Sequence, residues 1–305
     1  MDKEPSTSDQ DQKEMRKQFF LSLAAIIILT FINVSFPFFN LAVILIWPIP
    51  IVNLAIHQGM RKATTLVAVS ALINGLLFNP LMGLLTVAGF GFVGFVMAGA
   101  ILEKLSAFKV ILMTVLTAIT SNFIIMAGIS LSYEGGILGT VQSAVADNLI
   151  PLLENGEMTA ILEAQLELIS LVIPGMLIIS GILTGILNYY LVHWYFDIKK
   201  ISVKTYNSIT YWRFPTIILS LGLVISILFR STPVGINLLV IIIFLLFLQG
   251  FGVGLYYVRK KTESFFLNWI YILLVIMIPV IPPLLFLIGL VDLWFDIRKL
   301  EYINN

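Results

Sequence analysis

Seven amide side chains lie within or at the ends of the long apolar stretches of this sequence. Such a group can hydrogen-bond to a neighbouring helix or to a bound molecule, and inside a bilayer the helix contact is worth ~0.6 kcal/mol on average. A single amide is therefore a structural contact more often than a ligand contact. The amides are Asn33, Asn53, Asn74, Asn122, Asn188, Asn237 and Gln249. The candidates for a substrate pocket lie toward the outer half of the stretches or beside an acidic loop, and they are Asn79, Asn122, Tyr133 and Glu134.

Sequence patterns typical of enzymes do not occur. There is no His-Glu-x-x-His, no Walker loop, no Gly-x-Ser-x-Gly and no aspartate pair. His57 and His193 stand in separate loops, and the chain has no cysteine, which excludes thiolate metal sites. Asp292 is the only ionisable candidate within the apolar segments, near the end of the last one. We therefore expect no catalytic residue, no metal and no cofactor, and a protein that is not an enzyme.

The composition indicates which environment positions these side chains. Apolar residues make up 59% of the chain and charged residues 11%, whereas soluble domains average about 45–50% and 25%. The mean hydropathy of +1.01 points the same way. A net charge of +1 excludes the positive field of a nucleic-acid-binding protein. The sequence predicts an all-α polytopic bundle of about 8–10 membrane segments in a lipid bilayer.

One uncharged stretch, residues 81–100, is predicted to be the central packing helix of this bundle. Its ~20 residues would span ~30 Å, which is the thickness of the hydrocarbon core. Ala88, Gly91, Gly94 and Ala98 recur at steps of three and four, so they share one helical face. A face of small residues allows close backbone contact between membrane helices.

We divide the chain into a disordered cytoplasmic tail and two membrane units. Residues 1–18 form the polar tail, residues 19–200 a unit of six spans, and residues 201–305 a C-terminal helical unit. Pro48 and Pro50 interrupt the second span and predict a kink, because proline lacks an N–H group. The carbonyl groups freed there need a neighbouring donor or a cavity.

The distribution of charge predicts the orientation. With the N-terminus in the cytoplasm, the basic residues of the tail and of alternate loops face inside, and Arg230 alone falls outside. Residues 133–168 carry six acidic and no basic residues and fall outside. Their helical spacing predicts two amphipathic helices, broken near Pro151 and Asn155, that form either a surface loop or a lid.

An internal repeat marks two cytoplasmic ends. The segment Tyr195-Phe196-Asp197-Ile198-Lys199-Lys200 recurs as Trp294-Phe295-Asp296-Ile297-Arg298-Lys299. Aromatic residues followed by bases are typical of the membrane interface. Lys199, Lys200, Arg298 and Lys299 are therefore candidates for docking a protein partner or anionic headgroups. We favour a hairpin turning at residues 279–283, which places the C-terminus inside, over a single kinked span.

Several motifs together resemble a known family. They are the prolines and following turn (Pro48, Pro50, His57, Gly59, Arg61), the glycine-rich stretch 81–100 and the closing segment 287–298. This combination resembles the YybS-like family of bacterial multi-pass membrane proteins over about residues 19–300. The resemblance implies a protein of the bacterial cytoplasmic membrane and says little about activity.

The six spans of residues 19–192 are also similar in layout to the substrate-binding subunits of energy-coupling-factor transporters. That resemblance implies an outer-face ligand site under loops and an energising partner. The chain departs from those subunits in its further membrane segments after residue 200. It also lacks their Ala-x-x-x-Ala coupling face in the first span, although Ala24 and Ala25 are present.

Two hypotheses of function follow. In the first, the protein is a small-molecule binding or transport component that depends on protein partners for energy. In the second, it is a membrane scaffold or accessory subunit in cell-envelope assembly. The sequence identifies neither the ligand nor the partner, and neither hypothesis involves nucleic acid.

Overall fold

The computed structural model describes residues 7–132, 139, 156–201, 209–262 and 264–300. Within these ranges the chain forms helices and short turns and contains no strand, which confirms the all-α prediction. The helices are α1 (Thr7–Ser35), α2 (Asn40–Ile46), α3 (Pro48–Gln58), α4 (Met60–Leu77), α5 (Pro80–Leu102), α6 (Ala107–Ser132), α7 (Gly156–Ile198), α8 (Thr216–Leu228), α9 (Pro233–Lys261), α10 (Phe265–Met277) and α11 (Ile281–Phe295).

Six stretches among the described residues are long and apolar enough to cross a membrane, and a bent helix pair raises the number to seven. Two other expected spans differ from the prediction. The helix α4 begins with Arg61 and Lys62 in its first turn and is not among the six. The helix α8 has 13 residues, a length of ~20 Å at ~1.5 Å per residue, which is less than the ~30 Å thickness of the hydrocarbon core.

The N-terminal tail also differs from the prediction of disorder. The helix α1 begins at Thr7, so residues 7–18 continue the first span outward as helix, and residues 1–6 lie outside the described ranges. Residues 12–17 are Gln, Lys, Glu, Met, Arg and Lys, which all have high helix propensity. Because the apolar span has already nucleated the helix, these residues extend it at little cost.

The chain packs into two units. Unit 1 comprises residues 1–160 and Ser180–Thr205, and unit 2 comprises Ile161–Ile179 and Tyr206–Asn305. The boundary after residue 205 lies close to the expected one at residue 200. The difference is that residues 161–179 of α7 belong to unit 2 together with the C-terminal helices.

The helix α5 is the most buried span of unit 1. Of its most apolar window, 56% is buried, compared with 17–44% for the other five spans. A Cβ atom on Gly94 would lie 3.1 Å from Cβ of Ile51, and one on Gly91 would lie 2.6 Å from Cγ1 of Val67. The predicted central helix is thus confirmed in its burial and in the close contacts of its small residues.

Amide and hydroxyl groups join three helices of unit 1. The buried Asn74 on α4 donates to Oγ1 of Thr30 on α1 at 2.7 Å and to Oγ1 of Thr86 on α5 at 2.9 Å. The two threonine hydroxyls in turn donate to backbone carbonyls one turn earlier. Asn74 is therefore structural, as most intramembrane amides are.

The helix α7 runs without interruption through Pro174. Proline removes one intrahelical hydrogen bond and displaces the preceding turn, and in unit 2 an amide compensates for this. Asn237 accepts a hydrogen bond from Gly175 N at 2.6 Å and donates one to Leu171 O at 2.8 Å. The backbone groups beside the proline are thus paired within the protein, as the bilayer requires. Most of the predicted acidic loop, residues 133–155, lies outside the described ranges.

The helices α9 and α11 form the centre of unit 2. They cross at Gly250 and Gly289, where a Cβ atom on either residue would overlap a backbone carbonyl of the other helix, at Leu285 and Leu246 respectively. The helices α10 and α11 meet at a 110° bend over residues 278–280. This bend lies beside Pro279, where the turn was expected, but the side of the membrane on which the chain ends stays a prediction.

Candidate functional site

The candidate site lies beside the break between α2 and α3, where Pro48 leaves a backbone carbonyl without its helical donor. Pro48 has no N–H group for the carbonyl of Ile44, four residues earlier. Asn188 on α7 lies beside this break and is 1% exposed. With its amide oriented so that the nitrogen faces the break, it donates to Ile44 O at 3.3 Å and Leu45 O at 3.1 Å. The carbonyl freed by Pro48 thus accepts a hydrogen bond from a neighbouring helix, which is one of the two outcomes predicted from the sequence.

A cavity of about 310 Å³ lies next to this break, within unit 1. Small-molecule sites are commonly clefts of about 300–1,000 Å³. Helices α1, α2, α3, α5, α6 and α7 all contribute to its walls. The lining residues are Asn33, Asn40, Ile44, Pro48, Leu85, Gly89, Phe90, Val93, Ala118, Ser121, Asn122, Ile125, Ile129, Ser180, Thr184 and Asn188.

The polar groups of the cavity lie on α7, at the junction of α1 and α2, and on α6. Ser180, Thr184 and Asn188 follow one another at steps of four, so they form a polar stripe on one face of α7. Two further amides lie at the junction of α1 and α2, where Asn40 donates to Asn33 at 2.8 Å. Opposite them, α6 contributes the neighbouring residues Ser121 and Asn122.

Ser121 differs from the buried hydroxyl groups of Ser70 and Thr114, which also belong to unit 1. Its residue is 2% exposed, and its Oγ has no hydrogen-bond partner among the described residues. By contrast, the buried hydroxyls of Ser70 and Thr114 donate to carbonyls one turn earlier. A buried hydroxyl without a partner costs about 1–3 kcal/mol, so Ser121 Oγ is an unsatisfied polar atom in the wall of this cavity.

Helix packing holds α6 and α7 in register at the cavity. A Cβ atom on Gly185 would lie 2.6 Å from Cα of Val115, and one on Gly181 would lie 2.7 Å from Cα of Ile119. Only glycine allows this approach. Because Gly181 packs on Ile119 and Gly185 on Val115, the crossing places Ser180 near the level of Ser121, and Thr184 about one turn further along α6.

An aromatic pair and a widened turn form another wall. The rings of Trp47 and Phe90 stack with centroids 4.1 Å apart and an angle of 15° between their planes. Phe90 lies in a π-helical stretch, Leu85–Gly91, within α5. Wider turns of this kind are frequent at functional sites. Here Leu85, Gly89 and Phe90 of that stretch line the cavity.

The described lining of the cavity carries no charged side chain. Its recognition groups are amides and hydroxyls, which can donate and accept hydrogen bonds but cannot neutralise a formal charge. An ion entering this apolar surrounding would lose its hydration without gaining a counter-charge. The arrangement therefore suits an uncharged polar molecule.

Of the two predicted substrate residues that the structure describes, one lies at this cavity. Asn122 lines it. Asn79 instead caps the first turn of α5, where its side chain accepts a hydrogen bond from Met82 N at 2.9 Å, so its role here is structural. Tyr133 and Glu134 lie outside the described residues. Asn188 is one of the seven amides named from the sequence, whereas Ser121 and the four-residue spacing of Ser180, Thr184 and Asn188 were not predicted, although that spacing could have been detected.

The intramembrane acid Asp292 belongs to a separate cluster in unit 2. It accepts hydrogen bonds from Arg298 at 2.8 Å and Gln249 at 3.0 Å. Arg298 also donates to the carbonyls of Thr210 at 2.6 Å and Trp212 at 2.7 Å. Both side chains of the ion pair are 0% exposed. Their hydrogen bonds connect the segment after α11 to Gln249 of α9 and to the backbone at residues 210 and 212.

This cluster changes the interpretation of the predicted docking residues. Lys199, Lys200 and Lys299 are exposed, whereas Arg298 is buried and therefore is not an exposed docking cation. Both copies of the repeat end on a residue with a positive φ angle, 57° at Lys200 and 56° at Lys299, but Asp296 is also left-handed where Asp197 is helical. The docking role of the three lysines stays a prediction.

Comparison with known proteins identifies the family. The sequence matches, over residues 23–293, the family described as predicted membrane protein (DUF2232). The chain belongs to this family. The match covers most of the chain and includes residues of both units. No curated protein and no solved structure matches the chain.

Proposed function

We propose that unit 1 of this membrane protein binds an uncharged polar small molecule in the cavity between α1, α2, α3, α5, α6 and α7. The observation that carries the proposal is the buried, unpartnered hydroxyl of Ser121. A ligand that hydrogen-bonds to this hydroxyl and to the amides around it would satisfy a group that the protein itself leaves without a partner.

We further propose that the protein is a binding or transport component in a bacterial cell membrane, with its N-terminus in the cytoplasm. In that orientation the cavity lies toward the outer half of the membrane, because Asn33 is near the outer end of α1 and Asn40 begins α2. The proposed activity is binding rather than catalysis, and protein partners would supply energy.

The test is a measurement of ligand-induced stabilisation in detergent. Small molecules that co-purify with the full chain are identified by mass spectrometry, and a panel of uncharged nucleobases, vitamins and amides is screened by the melting temperature. A ligand at a hundredfold excess over its Kd would add ~2.7 kcal/mol to the free energy of unfolding. The corresponding rise in melting temperature is the expected result.

Ser121→Ala separates a ligand contact from a structural one. Because the hydroxyl has no partner in the protein, its removal should leave the melting temperature of the ligand-free protein unchanged or slightly higher, while ligand affinity falls about five-fold. Ser70→Ala is the matched control, because that hydroxyl donates to Leu66 O at 2.6 Å away from the cavity. If Ser121→Ala and Ser70→Ala affected ligand binding equally, the cavity would not be the binding site.

A further inference from the structure

A second, larger opening lies elsewhere in unit 1, along α1 and α3. It has a volume of about 750 Å³. The α1 side presents one helical face, with Gln18, Leu21, Ser22, Ala25, Ile28 and Leu29 at steps of one, three and four. The α3 side includes Ile49, Pro50, Asn53 and His57, and the end of α7 adds Tyr195, Lys199 and Ile201. We name this opening the α1–α3 groove.

The α1–α3 groove is polar at one end and apolar along its length. Gln18 is the first lining residue of α1 and His57 is near the last residue of α3. Because these two helices run in opposite senses along the groove, both residues lie at the same end as Lys199. The other end is lined by Leu29 and Ile46. The groove therefore passes from amide, imidazole and ammonium groups to aliphatic side chains.

The length of the groove corresponds to one leaflet of a bilayer. Eleven residues separate Gln18 from Leu29, which is ~16 Å at ~1.5 Å per residue. The hydrocarbon core of a bilayer is ~30 Å thick, so one leaflet contributes ~15 Å. The polar end also coincides with an aromatic residue and a base, Tyr195 and Lys199, with the ammonium 6.0 Å from the ring centroid. Such a pair is typical of the headgroup level.

We propose that the α1–α3 groove binds one anionic phospholipid, with its phosphate beside Lys199 and one acyl chain along Ala25 toward Leu29. The described lining contains Lys199 as its formal cation and no acidic residue, so the electrostatic preference is for a negative headgroup. His57 contributes a further donor or acceptor: its Nδ1 donates to Asn53 O at 2.8 Å, which leaves Nε2 for the headgroup.

The aliphatic walls favour a lipid over a soluble anion or a protein partner. Leu21 is 60% exposed and Ile28 is 57% exposed in the structure. In a bilayer an acyl chain covers such side chains without any exposure of apolar surface to water. A soluble phosphate would contact the polar end alone and leave the rest of the groove unfilled.

The first experiment compares three probes on the full chain purified in a neutral detergent. Dioleoyl phosphatidylglycerol, dioleoyl phosphatidylcholine and inorganic phosphate are each titrated, with native mass spectrometry and the melting temperature as readouts. We expect one tightly held phosphatidylglycerol per chain and a rise in melting temperature. Phosphatidylcholine should bind more weakly, and phosphate alone should have no effect. An equal effect of inorganic phosphate would overturn the lipid assignment in favour of a soluble anion.

Two pairs of variants test the headgroup and the acyl chain separately. Lys199→Gln should weaken phosphatidylglycerol binding about five-fold, whereas Lys200→Gln, at an exposed lysine outside the groove, should leave it unchanged. Ala25→Trp should block both lipids by filling the groove, and Ala24→Trp, on the exposed face of α1, should not. Leu21→Trp replaces Ala25→Trp if that variant fails to fold.

Two outcomes of the variant experiments would contradict the proposal. Equal losses for Lys199→Gln and Lys200→Gln would show general surface attraction of anionic lipid, and the specific site would be wrong. Unchanged lipid binding in a folded Ala25→Trp or Leu21→Trp protein would show that the acyl chain lies outside the groove. Neither result bears on the Ser121 cavity, whose test uses different residues and ligands.

Discussion

At the scale of single residues, the buried ion pair of Asp292 and Arg298 depends most strictly on complete hydrogen bonding. Two buried charges lose their hydration, and the loss is offset only if each is fully hydrogen-bonded. Here Asp292 is held by Arg298 and Gln249, and Arg298 also reaches two backbone carbonyls. We infer that this acid stabilises the fold and does not relay protons, because its oxygens already have two partners.

Removal of one charge should therefore lower the free energy of unfolding more than removal of both charges. Asp292→Asn leaves Arg298 buried without its counter-charge, and we expect a loss of about 3–5 kcal/mol in the free energy of unfolding. The double variant Asp292→Leu with Arg298→Met removes both charges and should be markedly more stable than Asp292→Asn. Thermal unfolding of the three proteins in detergent measures this, and a double variant less stable than the single one would contradict it.

At the scale of helices, the break at Pro48 and the amide of Asn188 act as a pair. The proline removes a donor for Ile44 O, and the amide of a different helix replaces it. The same solution recurs in unit 2, where Asn237 pairs the backbone groups beside Pro174. In both places an intramembrane amide compensates for a proline, so part of the amide content of this sequence is explained by its proline content.

A double-mutant cycle tests this pairing. Asn188→Leu should destabilise the protein by about 1 kcal/mol, because it leaves a carbonyl without a donor. In a Pro48→Ala background the new N–H can donate to Ile44 O, so the same change should cost less. The measured quantity is the coupling free energy, which reaches about 0.5–3 kcal/mol for interacting residues. Equal costs of Asn188→Leu in both backgrounds would show that the two residues act independently.

The need for glycine at the crossing of α9 and α11 can be tested by comparing glycine-to-alanine substitutions at a crowded and at an open position. A Cβ atom on Gly289 would overlap the carbonyl of Leu246, so Gly289→Ala should force α9 and α11 apart and destabilise unit 2. The Cβ atom of Gly99→Ala would meet only the end of Met60 at 3.8 Å. Because alanine is the better helix former by about 1 kcal/mol, Gly99→Ala should stabilise the protein. The melting temperatures of the two variants should move in opposite directions.

Sequence reasoning predicted the helices better than the cavity, for a physical reason. Length, hydropathy and the small residues of 81–100 are local properties, so they identified α5 and its packing face. The cavity joins residues from six helices, and its strongest polar signal, the stripe Ser180, Thr184 and Asn188, is typical of helix contacts as well. The burial of Arg298 was also out of reach, because its partners at residues 210 and 212 are set by tertiary packing.

At the scale of the whole molecule, the orientation in the membrane is the main prediction still to be tested. The chain has no cysteine, so single cysteines can be introduced without background labelling. We expect Lys62→Cys and Lys260→Cys to react with a membrane-impermeant maleimide from the cytoplasmic side only. Ser132→Cys and Ser231→Cys should react from the outer side, since nearly all bases then lie inside. All four positions are exposed in the structure.

The C-terminus provides a separate measurement of the last helix pair. With a 110° bend between α10 and α11, the hairpin prediction places Asn305 on the cytoplasmic side together with the N-terminus. A reporter enzyme fused after Asn305 should therefore be active only inside the cell. Activity restricted to the outer face would identify residues 265–295 as one broken span.

The π-helical stretch of α5 has a consequence for how this gene can change. A π turn holds one more residue than the corresponding α turn, so the stretch Leu85–Gly91 behaves as a single-residue insertion. Deleting one codon there would restore a regular helix and leave residues 92–102 near their present orientation relative to residues 80–84, because the wider turn already absorbs the extra residue. Gly94 would then stay against Ile51, its present contact. In a regular stretch of α-helix the same deletion would rotate the following residues by about 100°, so single-codon deletions should be tolerated better between codons 85 and 91 than within the regular helices of unit 1.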